Sequence, residues 1–105
     1  MPFPDAAYRL DKFDKHVQRQ GEFGFATPEE YEAAGDAFMN AAHDPTAGLW
    51  ECTRRSDHSI VRYNPNTEEF GILTPAGMLT AYYILDPAIH RKRSNVEYFR
   101  MVCNS

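Results

Sequence analysis

The sequence predicts an α+β domain in which an N-terminal helical pair packs on a four-stranded antiparallel meander, followed by a short C-terminal helix. Two observations carry this prediction. The hydrophobic period changes once, near residue 48, from helical to alternating. After that change, turn chemistry recurs at short intervals, at 56–58, at Asn64-Pro65-Asn66 and at Thr74-Pro75-Ala76-Gly77, and connections this short join neighbouring antiparallel strands. At 105 residues the whole chain, 1–105, is expected to form one domain.

The first helix is expected from Asp5 to Gln20, with Ala6, Leu10, Phe13 and Val17 on one buried stripe and Gly21 as its stop. A second helix follows Thr27 as N-cap, with Pro28 in the first helical position, Glu30 completing a capping box, and Tyr31, Ala34, Phe38 and Ala41 as its core face. Between the helices, Phe23 and Phe25 read as packing plugs. Beyond Asp44-Pro45, strands are expected over Gly48–Arg55, Ser59–Tyr63, Glu69–Leu73 and Met78–Leu85. The tail, Asn95–Cys103, places Val96, Phe99 and Cys103 at helical spacing behind an Asn95 cap. With the helical pair on one sheet face, the other is expected to stay in water, and chemistry is expected there.

Composition limits the function classes. A chain that is 43% apolar and 13% aromatic can bury a core without metal or disulfide staples. No apolar run approaches the roughly 18 residues of a membrane span, and the N-terminus is too charged for a signal peptide, so no membrane partner is expected. A net charge of −4 argues against indiscriminate binding of nucleic-acid backbone. The charge is nevertheless uneven: nine acids against four bases in residues 1–50, and six acids against seven bases in residues 51–105. Cys52 and Cys103 lack CxxC spacing, which argues against a zinc site and leaves them expected as reduced, buried residues, a single disulfide being the alternative.

Three groups of residues suit chemistry. Of the histidines His16, His43, His58 and His90, no two stand four apart on one helix, so no metal cofactor is expected. His16 lies at the edge of the first helical stripe, where a half-buried imidazole serves either as an ordinary boundary residue or as a general acid or base. Arg54, Arg55 and Arg62 occupy two strands expected to be neighbours; alternation lets only one of Arg54 and Arg55 join Arg62 on the open face, either to hold phosphate or to pair with strand glutamates. On the last strand, Thr80 and Tyr82 are expected to share a face, with Tyr83 opposite and Tyr63 on a neighbouring strand, as hydroxyl donors or stacking platforms.

Taken together, the stretches FDKHVQRQGEFGFATPEEYEAAGDAF, ECTRRSDHSIVRYNPNTEEFGILTPAG, LTAYYI and NVEYF resemble the C-terminal toxin modules of Rhs-repeat and related polymorphic toxins and of certain phage-borne relatives. Those modules are similar to the barnase, EndoU, colicin and RelE ribonuclease superfamily. The resemblance runs from about residue 9 to about residue 100. It implies a small metal-independent ribonuclease without cofactor, often aimed at transfer RNA, delivered to act in the cytoplasm of a target cell and restrained by a cognate immunity protein. By position, the family's helical histidine falls on His16, and its arginine strand on Arg54 or Arg55 followed by Arg62. The family's threonine position on the tyrosine strand falls on Ala81, so that either Thr80 supplies the hydroxyl through a local bulge or the chain has lost it. The resulting expectation is 2′-hydroxyl attack on the adjacent phosphate, with His16 moving the proton, an arginine among Arg54, Arg55 and Arg62 holding the phosphorane charge, Thr80 and Tyr82 orienting phosphate or base, and Tyr63 and Tyr83 contacting substrate. The competing expectation is a non-catalytic protein-interaction module of a phage or secretion system, which the acidic net charge favours.

Overall fold

The structure is a computed structural model that describes residues 3–42 and 48–105, apart from the side chain of Arg19. His43, Asp44 and Pro45 lie outside the described residues. Helix α1 (Ala6–Phe13) runs directly into a π-helical segment, Asp14–Arg19. Helix α2 (Pro28–Asn40) follows, then strands β1 (Trp50–Thr53), β2 (Ile60–Tyr63), β3 (Glu69–Leu73) and β4 (Leu79–Ile84). A single helical turn, α3 (Pro87–His90), precedes helix α4 (Asn95–Asn104). The sheet is the expected meander, in the order β1-β2-β3-β4, with every neighbouring pair antiparallel.

Local chemistry explains most boundaries. The Thr27 hydroxyl accepts from the Glu30 N–H, and the Glu30 carboxylate reaches back to the Ala26 N–H, one residue before the capping-box target. The C-terminal helix starts one residue earlier than expected, with Ser94 as its cap and Asn95 inside the first turn. In the first helix the predicted stripe is displaced: Ala6 is exposed and Leu10 is 58% exposed, whereas Phe13 and His16 are buried. The displacement begins within α1, before the π segment, and turns the buried face towards Phe13 and His16, so His16 sits in the interior and not at the rim. On α2 the buried face is Tyr31, Gly35 and Met39; Ala34 and Phe38 are half-buried and Ala41 is exposed.

The expectation of an open sheet face is not met. One face carries Leu73, Leu79 and Tyr82 against Phe3, Phe13, Tyr31 and Met39 from the N-terminal half, with Phe23 and Phe25 plugging the same cluster. The opposite face carries Val61, Tyr63, Phe70, Ile72 and Ala81, and α4 covers it with Phe99 and Val102. The tail is therefore a third layer, and its apolar positions gain as much from burial as those of a core strand, about 1.5–3 kcal/mol per large side chain. Where Met39 of α2 packs on β3, a Cβ on Gly71 would stand 2.6 Å from the Met39 sulfur, so a side chain there would have to displace Met39. Cys52 and Cys103 form a disulfide that ties β1 to the end of α4, which corrects the expectation of free thiols.

The fold buries phenols on both faces. Burial raises the pKa of Tyr31, Tyr63, Tyr82 and Tyr83 above the ordinary tyrosine value of 10.0. Since the folded form holds these protons more tightly than the unfolded chain, their contribution is intact below pH 10 and is lost as pH rises above it. We predict alkaline unfolding that steepens by about 1.4 kcal/mol per pH unit for each phenol withheld from ionisation. Tyrosinate absorbance and circular dichroism should change together; phenols ionising well before the fold is lost would contradict the prediction.

Candidate active-site cleft

The last strand is a sheet edge, and the N-terminal half supplies partners for its outward backbone groups. Tyr8 donates to the Thr80 carbonyl, Tyr31 donates to the Tyr82 carbonyl, and Glu22 accepts from the Ile84 N–H at 2.6 Å. These contacts set α1 and the π segment against β4, and a cleft of about 310 Å³ opens between them and the α3–α4 region. Lys12, Lys15 and His16 stand on one side, Thr80, Ala81 and Tyr83 form its floor, and Ile89, His90 and Tyr98 close the other side.

His16 is 5% exposed, and its Nδ1 lies 2.8 Å from Glu22 Oε2. The local chain dictates this pairing. Gly21, at φ +64°, ends the π segment in the left-handed region, and the Glu22 N–H then donates to the His16 carbonyl, a closure one residue wider than the usual Schellman bond because the preceding turn is π. Glu22 is thus held to His16 through both backbone and side chain. Its second oxygen is held by Ile84, so the carboxylate is fixed at both oxygens in a site where its side chain is 8% exposed. A carboxylate at Nδ1 selects the tautomer with the proton on Nδ1. Among the described residues no hydrogen bond engages Nε2, which leaves that nitrogen as the acceptor towards the cleft.

The His16 ring stacks on Tyr83, with centroids 4.9 Å apart and planes 13° from parallel. The Tyr83 hydroxyl shares a 2.7 Å hydrogen bond with that of Tyr98, and Tyr98 stacks on His90 at 4.5 Å. His90 is not a second free imidazole. Its Nδ1 accepts from the Lys92 N–H and its Nε2 meets Asn95 Oδ1 at 2.8 Å, so both nitrogens are occupied in the neutral form. Burial raises the pKa of the Tyr83 phenol further above its ordinary value, so the group orients its neighbours and does not serve as a base.

The other expected site residues divide sharply. Thr80 is in the cleft because the β3–β4 register shifts between Ile72 and Leu73: Ile72 faces Ala81 but Leu73 faces Leu79, making Thr80 the extra residue of a bulge. This places Thr80 beside Ala81 and Tyr83 instead of on one face with Tyr82. Its hydroxyl makes only a long contact, 3.4 Å, to the Ile72 carbonyl. Tyr82 is buried on the helical face against Phe23 and Tyr31, with its hydroxyl donated to Glu69, and does not reach the cleft. Tyr63 is likewise buried and donates to Glu68.

Arg62 also leaves the site. It is 6% exposed on the helical face, where Nε donates to Glu51 at 2.6 Å and Nη1 donates to the carbonyls of Phe38 and Ala41, closing the end of α2. Arg54 and Arg55 lie beyond the end of β1, Arg55 in the exposed turn that leads to β2, so neither joins Arg62 on a sheet face. Arg54 grips Asp57 with two hydrogen bonds, which hold the Asp57 carboxyl well below the usual carboxylate range.

Glu22, Tyr98 and Lys15 were not identifiable from sequence as parts of a site. Among the described residues no group of three or more metal-ligating side chains occurs, and no helix is long and apolar enough to cross a membrane. Comparison with protein-family models and with curated protein sequences finds no match.

Proposed function

We propose that the chain is a metal-independent endoribonuclease toxin domain that cleaves RNA, transfer RNA foremost, and is held in check by a cognate immunity protein until it acts in a target-cell cytoplasm. The observation that carries the reading is the buried His16–Glu22 pair: a carboxylate orients the imidazole, and the free nitrogen borders a cleft with Lys12 and Lys15 on its rim. His16 Nε2 takes the proton from a ribose 2′-hydroxyl, the O2′–phosphorus bond forms, and the bond from phosphorus to the 5′-oxygen breaks. The 5′-oxygen takes a proton from water and His16 returns its own to water, leaving a cyclic phosphate and a 5′-hydroxyl. Lys15 and the Thr80 hydroxyl stabilise the charge that builds on phosphorus.

Incubating the protein with total RNA in excess EDTA tests the reading. Fragments ending in cyclic phosphate and 5′-hydroxyl are expected; intact RNA, or cleavage that requires an added divalent metal, would overturn it. Because the bulge delivers Thr80 to the cleft floor, Thr80→Val should lower the rate by about tenfold, the worth of one hydrogen bond to a developing charge. Ala81→Thr should then leave the rate unchanged or slightly lower. A rise with Ala81→Thr and no loss with Thr80→Val would assign the phosphate contact to position 81.

A further inference from the structure

A second groove, of about 370 Å³, lies beside the first along α4 and is lined by Lys92, Glu97, Arg100, Met101 and Asn104. The two are lined by residues that are near neighbours along the chain. His90 and Tyr98 close the active-site cleft, while Lys92 and Glu97, two residues and one residue away, line the groove. Among the described residues no ion pair engages Arg91, Lys92, Arg93 or Arg100. Elsewhere Arg9, Arg54 and Arg62 are all paired. The groove therefore holds exposed, uncommitted cations on a protein of net charge −4, together with the apolar Met101, which is 41% exposed.

The backbone at Arg91 adds an independent observation. Arg91 closes α3 at φ 63°, in the left-handed region where glycine is the favoured residue. The turn it makes leads into Lys92, which lines the groove, and the Arg93 N–H and the Ser94 hydroxyl then engage Glu97 at the start of α4. A side chain that works against its own backbone is carried at the point where the chain leaves the cleft for the groove.

We propose that this groove is a second subsite, which binds the phosphate and base of a nucleotide flanking the scissile one in single-stranded RNA. Lys92 and Arg100 hold the phosphate, Arg91 meets the backbone between cleft and groove, and Met101 packs on the base. This inference rests on the ribonuclease reading for the direction of the strand, but the binding it describes is measurable without cleavage. Single-stranded rather than duplex RNA is specified because Met101, 41% exposed in the groove, can pack on a base only where that base is unstacked.

The test uses the full chain carrying His16→Asn, in EDTA, with a fluorescent uridine oligonucleotide long enough to span both sites and a dinucleotide that fills only the cleft. Adding Lys92→Gln and Arg100→Gln should weaken oligonucleotide binding at least about tenfold and flatten its salt dependence by about 1.4, since each cation withdrawn from the phosphates of a single strand lowers the slope by about 0.7. Dinucleotide binding should not change. Arg91→Gly should weaken oligonucleotide binding while raising the Tm by about 4 °C, opposite signs that a purely structural role would not give. Unchanged oligonucleotide affinity in the double variant would overturn the subsite. Groove-dependent binding with no cleavage by the unsubstituted chain would retain the subsite and overturn the ribonuclease reading; no RNA binding by any form would overturn both.

Discussion

His16→Asn is expected to lower RNA cleavage by a factor of about 10² to 10⁴ while leaving the protein folded. The choice of asparagine follows from the geometry. Alanine would leave Glu22 buried without its partner, and an uncompensated buried carboxylate costs on the order of 3–5 kcal/mol, enough to confuse lost chemistry with lost fold. An asparagine amide retains a donor near the position of Nδ1 and removes only the nitrogen that borders the cleft. Activity should therefore vanish at nearly constant Tm. Glu22→Gln forms the companion measurement: it keeps the shape, fails to select the tautomer, and should lower kcat with little change in KM. A His16→Asn protein that cleaves as well as the parent would reduce His16 to a packing residue.

The second large effect is on stability. Arg62→Ala should destabilise the fold by about 3 kcal/mol, a fall in Tm on the order of 15 °C, because it strips the buried partner from Glu51 and leaves the carbonyls of Phe38 and Ala41 without their donor. Cleavage per folded molecule should be nearly unchanged. Thermal unfolding paired with activity measured well below the transition separates the two roles. A stable protein with lost turnover would restore Arg62 to the catalytic machinery, where the sequence had placed it.

The contrast between these residues shows what a single sequence reveals. The meander was legible because alternation and turn clusters are local properties, and the β3 boundaries, Glu69–Leu73, agree to the residue. Arginine placement was not, because the face of a strand residue depends on what covers each face, and α4 covers the face expected to be open. His16 stands out by its position and by resemblance, but its full burial is not legible, because the helix turns a different face inward from the one its apolar residues mark, with Leu10 58% exposed. Thr80 fell between these cases. A threonine one position out of register suggested a bulge, and the ladder contains one. Glu22 was missed because its role is tertiary: the side chain has meaning only once His16 and Ile84 have come to it.

The link between Cys52 and Cys103 joins positions 51 residues apart and closes nearly half the chain into a ring. Loop-closure entropy gives such a bond about 4 kcal/mol against the unfolded state. It also changes what the unfolded chain can pass through. With the bond intact, a chain drawn end-first through a channel must present two strands abreast over the ring. A conduit one strand wide would admit it only after reduction, whereas a wider one would admit the ring closed. The thiol state of this single pair thus sets the smallest aperture the molecule can thread.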